Sequence, residues 1–301
     1  MVGSDAATSS SLMLSMYWNT KLPNTAMPLA IKNSLPAKEA STVWSSSFAK
    51  KEFQSLHSHG FGYIYAATED QLHDNSNGAI FFKPAALHKG NADGMTLGFS
   101  TPEKGAVFLP RSESKKIPFS SREMPQILSR FSIKPDSDEA RKMQTTIKEC
   151  EDPALKGEKK QCATSLESMI DFAESKLQGK QGKKIRAVST ETIAGNTSSL
   201  QKYTISGVEE LNEDGDGIVA SHKQSYGYAV FYCHKTETTD AFKVSLVGAN
   251  GAQVIAAAVC HKDTSGWNPK HLAFQVLKVK PGTVPVCHFL PEDHVVWFAN
   301  N

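Results

Sequence analysis

The chain has 301 residues, enough to bury the core of one large domain or two ordinary ones, so folding alone requires no metal. Its 33 Lys and Arg residues nearly balance 31 Asp and Glu residues, and no basic stripe or acidic block stands out. No segment approaches the run of about 20 apolar residues that a membrane span requires. We therefore predict neither a nucleic-acid partner nor a membrane partner.

The N-terminal residues are predicted to lie outside the compact domain. Residues 1–11 (MVGSDAATSSS) are small and polar, which is typical of a cloning remnant that replaces a removed signal peptide. Residues 12–78 are rich in Ser, Asn and His and lack a sustained period, which indicates a flexible leader. The domain is expected to occupy residues 79–301.

Short apolar runs broken by Gly, Pro and Ser fill residues 79–135, the pattern of strands joined by turns. Residues 137–178 change to a period of three to four, which predicts two helices joined by the charged segment EDPALKGEKKQ. Cys150 and Cys162 would then lie at the facing ends of these helices. A disulfide between them would close a short helical hairpin.

The chain beyond a polar linker at 179–199 is predicted to form strands. The segments YTISGV, GYAVFYCH, FKVSLVG, AQVIAAAVCH, HLAFQVLKV and TVPVCHFL alternate in polarity or are briefly apolar, and turn residues separate them. We predict a mainly β fold, an antiparallel sheet or barrel-like domain with a short helical hairpin, and hence α+β overall.

Cysteine usage indicates an oxidising compartment. The five cysteines are Cys150, Cys162, Cys233, Cys260 and Cys287. None forms a C-x-x-C pair, which argues against a zinc ribbon or a thioredoxin-type site, and the odd count leaves at least one thiol unpaired in the monomer. The sequon Asn196-Thr197-Ser198 adds independent support for the secretory pathway, so we predict disulfides and a vacuolar or apoplastic location.

A Cys-His dipeptide recurs along the C-terminal half. Its copies are Cys233-His234, Cys260-His261 and Cys287-His288. The same spacing of 25 residues separates each copy from the next. Ser221-His222 is a fourth copy in which Ser replaces Cys, and Trp297 follows the last copy. Chance does not readily give such an array.

The geometry of a β-strand would separate the two side chains of this dipeptide. Neighbouring residues point to opposite faces, so sulfur lies on one side of a sheet and imidazole on the other. Sulfurs on one face can form disulfides, while imidazoles on the other can converge on a metal. Imidazole without thiolate suits Cu(II), Zn(II) or Fe, and Cu(II) has the highest affinity. A lone histidine is more often a hydrogen-bonded core residue, but four in register, followed by His271 and His294, favour a metal.

This array resembles the signature of the plant BURP domain. Further similar motifs are AIFF at 79–82, FLPR at 108–111, IPFSS at 117–121, CATSLESMIDF at 162–172 and AVFYCHKTETT at 229–239. The similarity covers residues 79–298. The phrase YWNTKLPNTAMP in the leader is similar to the branch named after unknown seed protein.

The resemblance implies an activity. Some BURP proteins are autocatalytic, copper- and dioxygen-dependent peptide cyclases that crosslink a Tyr or Trp side chain to an unactivated carbon of a core peptide. Carried over by position, the catalytic copper ligands would be His222, His234, His261 and His288, with His271 and His294 as further ligands if two copper centres are present. The family has Cys where this chain has Ser221, which leaves Cys233, Cys260 or Cys287 without its partner.

The core peptide would lie in the leader or in a separate chain. The stretch HSHGFGYIYA offers Gly62, Tyr63 and Tyr65 in cis, although cores of the family usually begin with Gln and place Trp or Tyr at fixed steps. The sequence thus predicts a copper-dependent oxidative peptide macrocyclase with two copper sites. The alternative is a non-catalytic, secreted seed- or stress-type protein that holds the metal.

Overall fold

A computed structural model of the protein describes residues 9–37, 81–93, 95–99, 105–177, 183–212 and 217–300. The helices are α1 Ser10–Lys21, α2 Leu29–Asn33, α3 Arg111–Ser114, α4 Met124–Phe131, α5 Asp138–Glu151, α6 Leu166–Leu177 and α7 Leu272–Leu277. The strands are β1 Phe81–Phe82, β2 Thr96–Leu97, β3 Lys159–Ala163, β4 Lys184–Val188, β5 Glu191–Ala194, β6 Gln201–Glu210, β7 Ile218–Gln224, β8 Val230–Thr236, β9 Thr239–Gly248, β10 Gln253–His261, β11 Val286–Phe289 and β12 Val295–Asn300.

Two antiparallel sheets make up the β structure of the described residues. The larger sheet has seven strands in the order β1-β11-β10-β9-β6-β2, with β5 also paired to β10. The smaller sheet has five strands in the order β3-β8-β7-β12-β4. Every pairing is antiparallel, which confirms the predicted antiparallel, mainly β fold with a few helices.

The sheets meet face to face because alternate residues of their strands share one apolar cluster. This inter-sheet cluster comprises Leu211, Ile218, Ala220, Ala241, Ala257, Val259, Leu290, Val296 and Phe298. The alternation is clearest in β12, where Val296 and Phe298 face the larger sheet while Val295, Trp297 and Ala299 face the helices. The core therefore lies on both sides of the smaller sheet.

The start of the predicted leader is part of this core. The side chain of Ser9 caps α1 by accepting a hydrogen bond from the backbone N–H of Leu12. Trp18 is buried, and its ring centroid lies 5.8 Å from that of Trp297. The predicted flexible leader is thus wrong for residues 12–37, because their apolar side chains complete the outer core of the smaller sheet.

Helices α5 and α6 form where the sequence predicts them but pack in different clusters. Met143 and Ile147 of α5 lie with Tyr226 and Tyr228, whereas α6 packs with the outer core of the smaller sheet. Strand β3 runs between the two helices and carries Cys162. The predicted hairpin is therefore a helix–strand–helix unit.

Two further segments differ from the sequence prediction. The segment HLAFQVLKV, predicted to be a strand, contains helix α7, whose N-cap His271 accepts a hydrogen bond from Ala273 N–H. A short apolar run does not distinguish strand from helix, and Leu, Ala and Gln favour the helix here. Between residues 79 and 135, the described strands are only β1 and β2, and the described remainder contains the helices α3 and α4.

Candidate functional site

Cross-strand register positions the repeated dipeptides in both sheets. In the larger sheet Cys260 lies directly opposite Cys287, and Val259 lies opposite His288. In the smaller sheet Ser221 lies directly opposite Cys233. The sulfur-side residues are thus direct cross-strand neighbours, while the histidines are diagonal neighbours on the face toward the other sheet.

The imidazoles approach one another in two pairs. In the smaller sheet, Nε2 of His222 lies 3.1 Å from Nε2 of His234. In the larger sheet, Nε2 of His261 lies 3.3 Å from Nε2 of His288, and the two rings stack with an interplanar angle of 15°. We call these the smaller-sheet pair and the larger-sheet pair. All four side chains are at most 4% exposed, so the pairs are shielded from bulk water.

Burial favours the neutral form of three of these imidazoles. The pKa values of His222 and His261 lie well below the ordinary value, first because burial disfavours the cation and then because other histidines lie nearby. Burial lowers the pKa of His288 to about 3. Neutral imidazole is the form that coordinates a metal, so the electrostatics of the site favour ligation over cation formation.

The two additional predicted ligands join the pairs in different ways. Nδ1 of His294 lies 3.0 Å from Nδ1 of His222, which extends the smaller-sheet pair to three rings. His271 lies beside the larger-sheet pair through aromatic contacts: Trp267 packs on both His261 and His271. Nδ1 of His271 is occupied as the cap of α7, and burial lowers the pKa of this residue to about 4.

The other ring nitrogen of the paired histidines lies close to a polar atom. Nδ1 of His261 lies 3.2 Å from the hydroxyl of Thr239, and Nδ1 of His288 lies 3.1 Å from the carbonyl of Phe289. Nδ1 of His234 lies 3.2 Å from Oε1 of the buried Glu158. Glu158 was missed by the sequence analysis, since it belongs to the segment interpreted only as a charged turn.

The sulfur-side residues differ between the sheets. Cys260 and Cys287 form a disulfide, and a second one joins Cys150 to Cys162 as predicted. Cys233 is the free cysteine that the odd count requires, and burial raises the pKa of its thiol to about 12. The hydroxyl of Ser221 donates a hydrogen bond to Cys233 Sγ at 2.6 Å and accepts one from Trp297 Nε1.

The donor chemistry fits a metal that accepts imidazole, although the arrangement is one of pairs. Two ligand nitrogens bound at roughly 2.0–2.1 Å to one tetrahedral ion lie about 3.3 Å apart. The Nε2 separations of 3.1 Å and 3.3 Å are close to this distance. Among the described residues, no group of three or more His, Cys, Asp or Glu side chains is already arranged to hold an ion. The predicted copper ligation therefore stays a prediction.

Two other predictions concern the core peptide and the membrane. The candidate core residues Gly62, Tyr63 and Tyr65 lie outside the described residues. No described helix has the length and apolarity needed to traverse a bilayer.

Comparison with known proteins identifies the family. A family model described as the BURP domain matches residues 80–299. BURP domain-containing protein 3 of Oryza sativa subsp. japonica is 54% identical over 239 residues, covering 79% of this chain and 54% of that protein. BURP domain protein RD22 of Arabidopsis thaliana is 52% identical over 242 residues, covering 79% of this chain and 60% of that protein.

This chain therefore spans little more than half the length of those two relatives. BURP domain-containing protein 5 of the same rice is 44% identical over 288 residues, covering 93% of this chain and 85% of that protein. With the family model matched over most of its length, and with plant relatives this similar, the chain belongs to the BURP-domain family.

Proposed function

We propose that the buried histidines bind copper and that the chain uses it as an oxidative peptide cyclase. The observation that carries the copper proposal is the pair of Nε2–Nε2 contacts, 3.1 Å in the smaller sheet and 3.3 Å in the larger. Neutral imidazoles without a thiolate beside them suit Cu(II), which has the highest affinity of the divalent first-row metals. Two pairs support two copper sites.

The cyclase activity is proposed from the family resemblance. When bound, copper supplies one-electron chemistry with dioxygen as the oxidant. A crosslink between a Tyr or Trp side chain and an unactivated carbon removes two hydrogens from the peptide, and their electrons and protons pass to dioxygen. The chain's own contribution is to hold neutral imidazoles in register and to exclude bulk water from them.

The substrate would be a peptide in cis or in trans. A peptide in the same chain would meet the site at a high effective concentration, with Gly62, Tyr63 and Tyr65 as the candidate in cis. We propose passage through the secretory pathway, which the two disulfides support because they persist in oxidising compartments.

A second candidate function is favoured by the burial of the site. All four paired histidines are almost fully enclosed, and His288 is wholly buried. Such a site suits a non-catalytic, secreted seed- or stress-type protein that retains copper. Both functions use the same histidines, so they differ in turnover and not in metal content.

Copper loading followed by mass analysis tests both proposals. The metal-free full chain is incubated with Cu(II) and dioxygen, its copper content is measured, and its peptides are weighed after digestion. We expect bound copper together with a loss of two hydrogens in one peptide. Bound copper with unchanged peptide masses, with and without added peptide, would support the second candidate.

A matched pair of histidine variants checks the ligands. His288→Gln removes a nitrogen of the larger-sheet pair, and His88→Gln removes an exposed histidine elsewhere. We expect copper loss only in the first variant. Full copper content in His288→Gln would exclude the larger-sheet pair as a copper site.

A further inference from the structure

The polar turn that joins β5 to β6 contains the sequon Asn196-Thr197-Ser198. It is the one Asn-x-Ser/Thr sequence in the whole chain. Asn196 and Ser198 are exposed, whereas Thr197 between them is buried. The two residues that define an N-glycosylation sequon are therefore both at the surface.

The side chain of Asn196 closes a local turn with Ser198. Its Oδ1 accepts a hydrogen bond from the backbone N–H of Ser198 at 3.1 Å and a second one from the Ser198 hydroxyl at 2.8 Å. Both bonds use the amide oxygen, so Nδ2, the atom that would receive a sugar, takes no part in the turn. An Asx-turn of this kind joins residues only two apart, so a chain that has not yet folded can also form it.

Two other exposed asparagines form the same backbone turn without the hydroxyl. Oδ1 of Asn250 accepts a hydrogen bond from the N–H of Ala252. Oδ1 of Asn268 likewise accepts one from the N–H of Lys270. Neither Ala252 nor Lys270 has a hydroxyl to donate. The hydroxyl contact thus distinguishes Asn196 from asparagines that share its exposure and its turn.

The rest of the fold holds this turn through its backbone. The carbonyl of Asn196 accepts hydrogen bonds from Nδ2 of Asn250 at 2.8 Å and from Nε2 of Gln201 at 3.1 Å. The carbonyl of Thr197 accepts one from the backbone N–H of Phe99 at 2.8 Å. None of these three bonds uses the Asn196 side chain. A sugar on Nδ2 would therefore leave them intact and would be attached at a fixed point of the surface.

From this turn we propose that Asn196 is an N-glycosylation site of the chain. The inference rests on the proposed passage through the secretory pathway and is independent of the copper proposal. The donor would be an oligosaccharide linked through a diphosphate to a membrane lipid. A bond forms between Nδ2 and the first sugar, and the bond between that sugar and the diphosphate breaks. Nδ2 gives up one proton, the lipid diphosphate leaves with the bonding electron pair, and nothing is oxidised or reduced.

The proposed site lies far from the larger-sheet pair. Ala194, two residues before Asn196, pairs with Gln253 at the start of β10, whereas His261 is the last residue of that strand. At a rise of about 3.3 Å per residue, the two ends of the nine-residue strand are about 26 Å apart. A test of glycosylation therefore does not depend on copper.

The test is a map of the sugar on the secreted full chain. A signal sequence directs the chain into the secretory pathway of plant cells. The secreted protein is treated with a peptide N-glycosidase, which converts a modified asparagine to aspartate, and its peptides are weighed before and after treatment. We expect the peptide that contains Asn196 to carry the sugar and to show this conversion. Secreted protein in which Asn196 is unmodified overturns the inference without any variant.

Four variants identify the groups that the modification needs. Asn196→Gln and Ser198→Ala should each abolish the sugar, because the first removes the acceptor and the second removes the hydroxyl. Ser198→Thr retains the hydroxyl and should remain glycosylated. Asn268→Gln is the matched control at an exposed turn without a hydroxyl, and it should be glycosylated as the wild type is. A sugar that persists in either of the first two variants overturns the inference.

The native protein separates the inference from the proposed secretory passage. A sugar on Asn196 in the signal-directed chain, but not in the protein isolated from the plant, overturns the proposed passage and leaves the site assignment standing. An unmodified Asn196 in a chain recovered outside the cell with both disulfides formed overturns the inference and leaves the passage standing.

Discussion

The two sheets place their Cys-His and Ser-His dipeptides in the same register but differ in how the strands are joined. In the larger sheet, Cys260 and Cys287 are covalently linked. In the smaller sheet, the corresponding positions hold Ser221 and Cys233, linked only by a hydrogen bond. The imidazole pairs on the opposite faces nevertheless have similar nitrogen separations, 3.3 Å and 3.1 Å.

This comparison indicates that strand register, and not the disulfide, brings the imidazoles together. The disulfide adds a cross-link on the face away from the histidines. Stability and ligand geometry are therefore separable in this fold, and the following predictions test that separation.

Lowering the pH should have the largest effect on the free energy of unfolding, and it should act through the buried histidines. The folded pKa values of His288 and His271, about 3 and about 4, lie below the ordinary value of about 6.5. The unfolded chain therefore binds protons first. The free energy of unfolding of the metal-free protein should be fully retained above pH 6.5 and fall as the pH drops toward 3.

In this range the free energy of unfolding should change with pH by up to about 1.4 kcal/mol per pH unit for each such histidine. Urea unfolding at a series of pH values measures it. His288→Gln should reduce the slope by the amount due to one histidine, whereas His88→Gln, at an exposed site, should not. A slope that is the same in all three proteins would contradict the prediction.

Removing the larger-sheet disulfide should produce the next largest effect. Replacing Cys260 and Cys287 together with Ser should lower the free energy of unfolding by about 2–5 kcal/mol, because the unfolded chain loses its cross-link. Denaturant unfolding under non-reducing conditions measures the change. A loss below about 1 kcal/mol would show that the disulfide adds little to the hydrogen-bonded ladder.

Converting the smaller sheet to the pattern of the larger one should stabilise it. Ser221→Cys places a thiol directly opposite Cys233, and a bond between them would add up to about 3 kcal/mol for a loop of this length. Thiol titration of the denatured protein should fall from one free thiol to none. Ser221→Ala is the control: it should keep the free thiol and lower stability by about 1–3 kcal/mol, since Trp297 Nε1 loses its acceptor.

The smallest effect is expected at the unlinked cysteine. Cys233→Ser should change the free energy of unfolding by about 1 kcal/mol or less, because this thiol forms no covalent bond. The variant should keep the wild-type copper content. A loss of copper would mean that the sulfur face and the imidazole face are coupled after all.

The sequence predicted those parts of the site that depend only on residue spacing along a single strand. The alternation of Cys and His along a strand follows from backbone geometry alone, so their placement on opposite faces was predictable. The contact of Glu158 with His234 was not, because it depends on β3 pairing with β8, a long-range choice that the period of β3 does not reveal. The helix α7 was missed for a different reason, since a short apolar run fits either element.

The burial of the N-terminal residues was missed because it also depends on long-range contacts. Residues 12–37 have no sustained period, but Trp18 and Ile31 are buried against strands from the far end of the chain. Burial of a few large side chains can fix a segment whose sequence pattern is weak, because each contributes roughly 1.5–3 kcal/mol.

The anchoring of Trp18 and of Phe81 has a consequence for any peptide between them. Trp18 fixes the chain to the outer face of the smaller sheet, and the ring of Phe81 packs edge-on against His271 and His288. A segment of the chain between these two anchors is therefore attached to the folded domain at both ends. Releasing any part of it as a free peptide would require two backbone cuts.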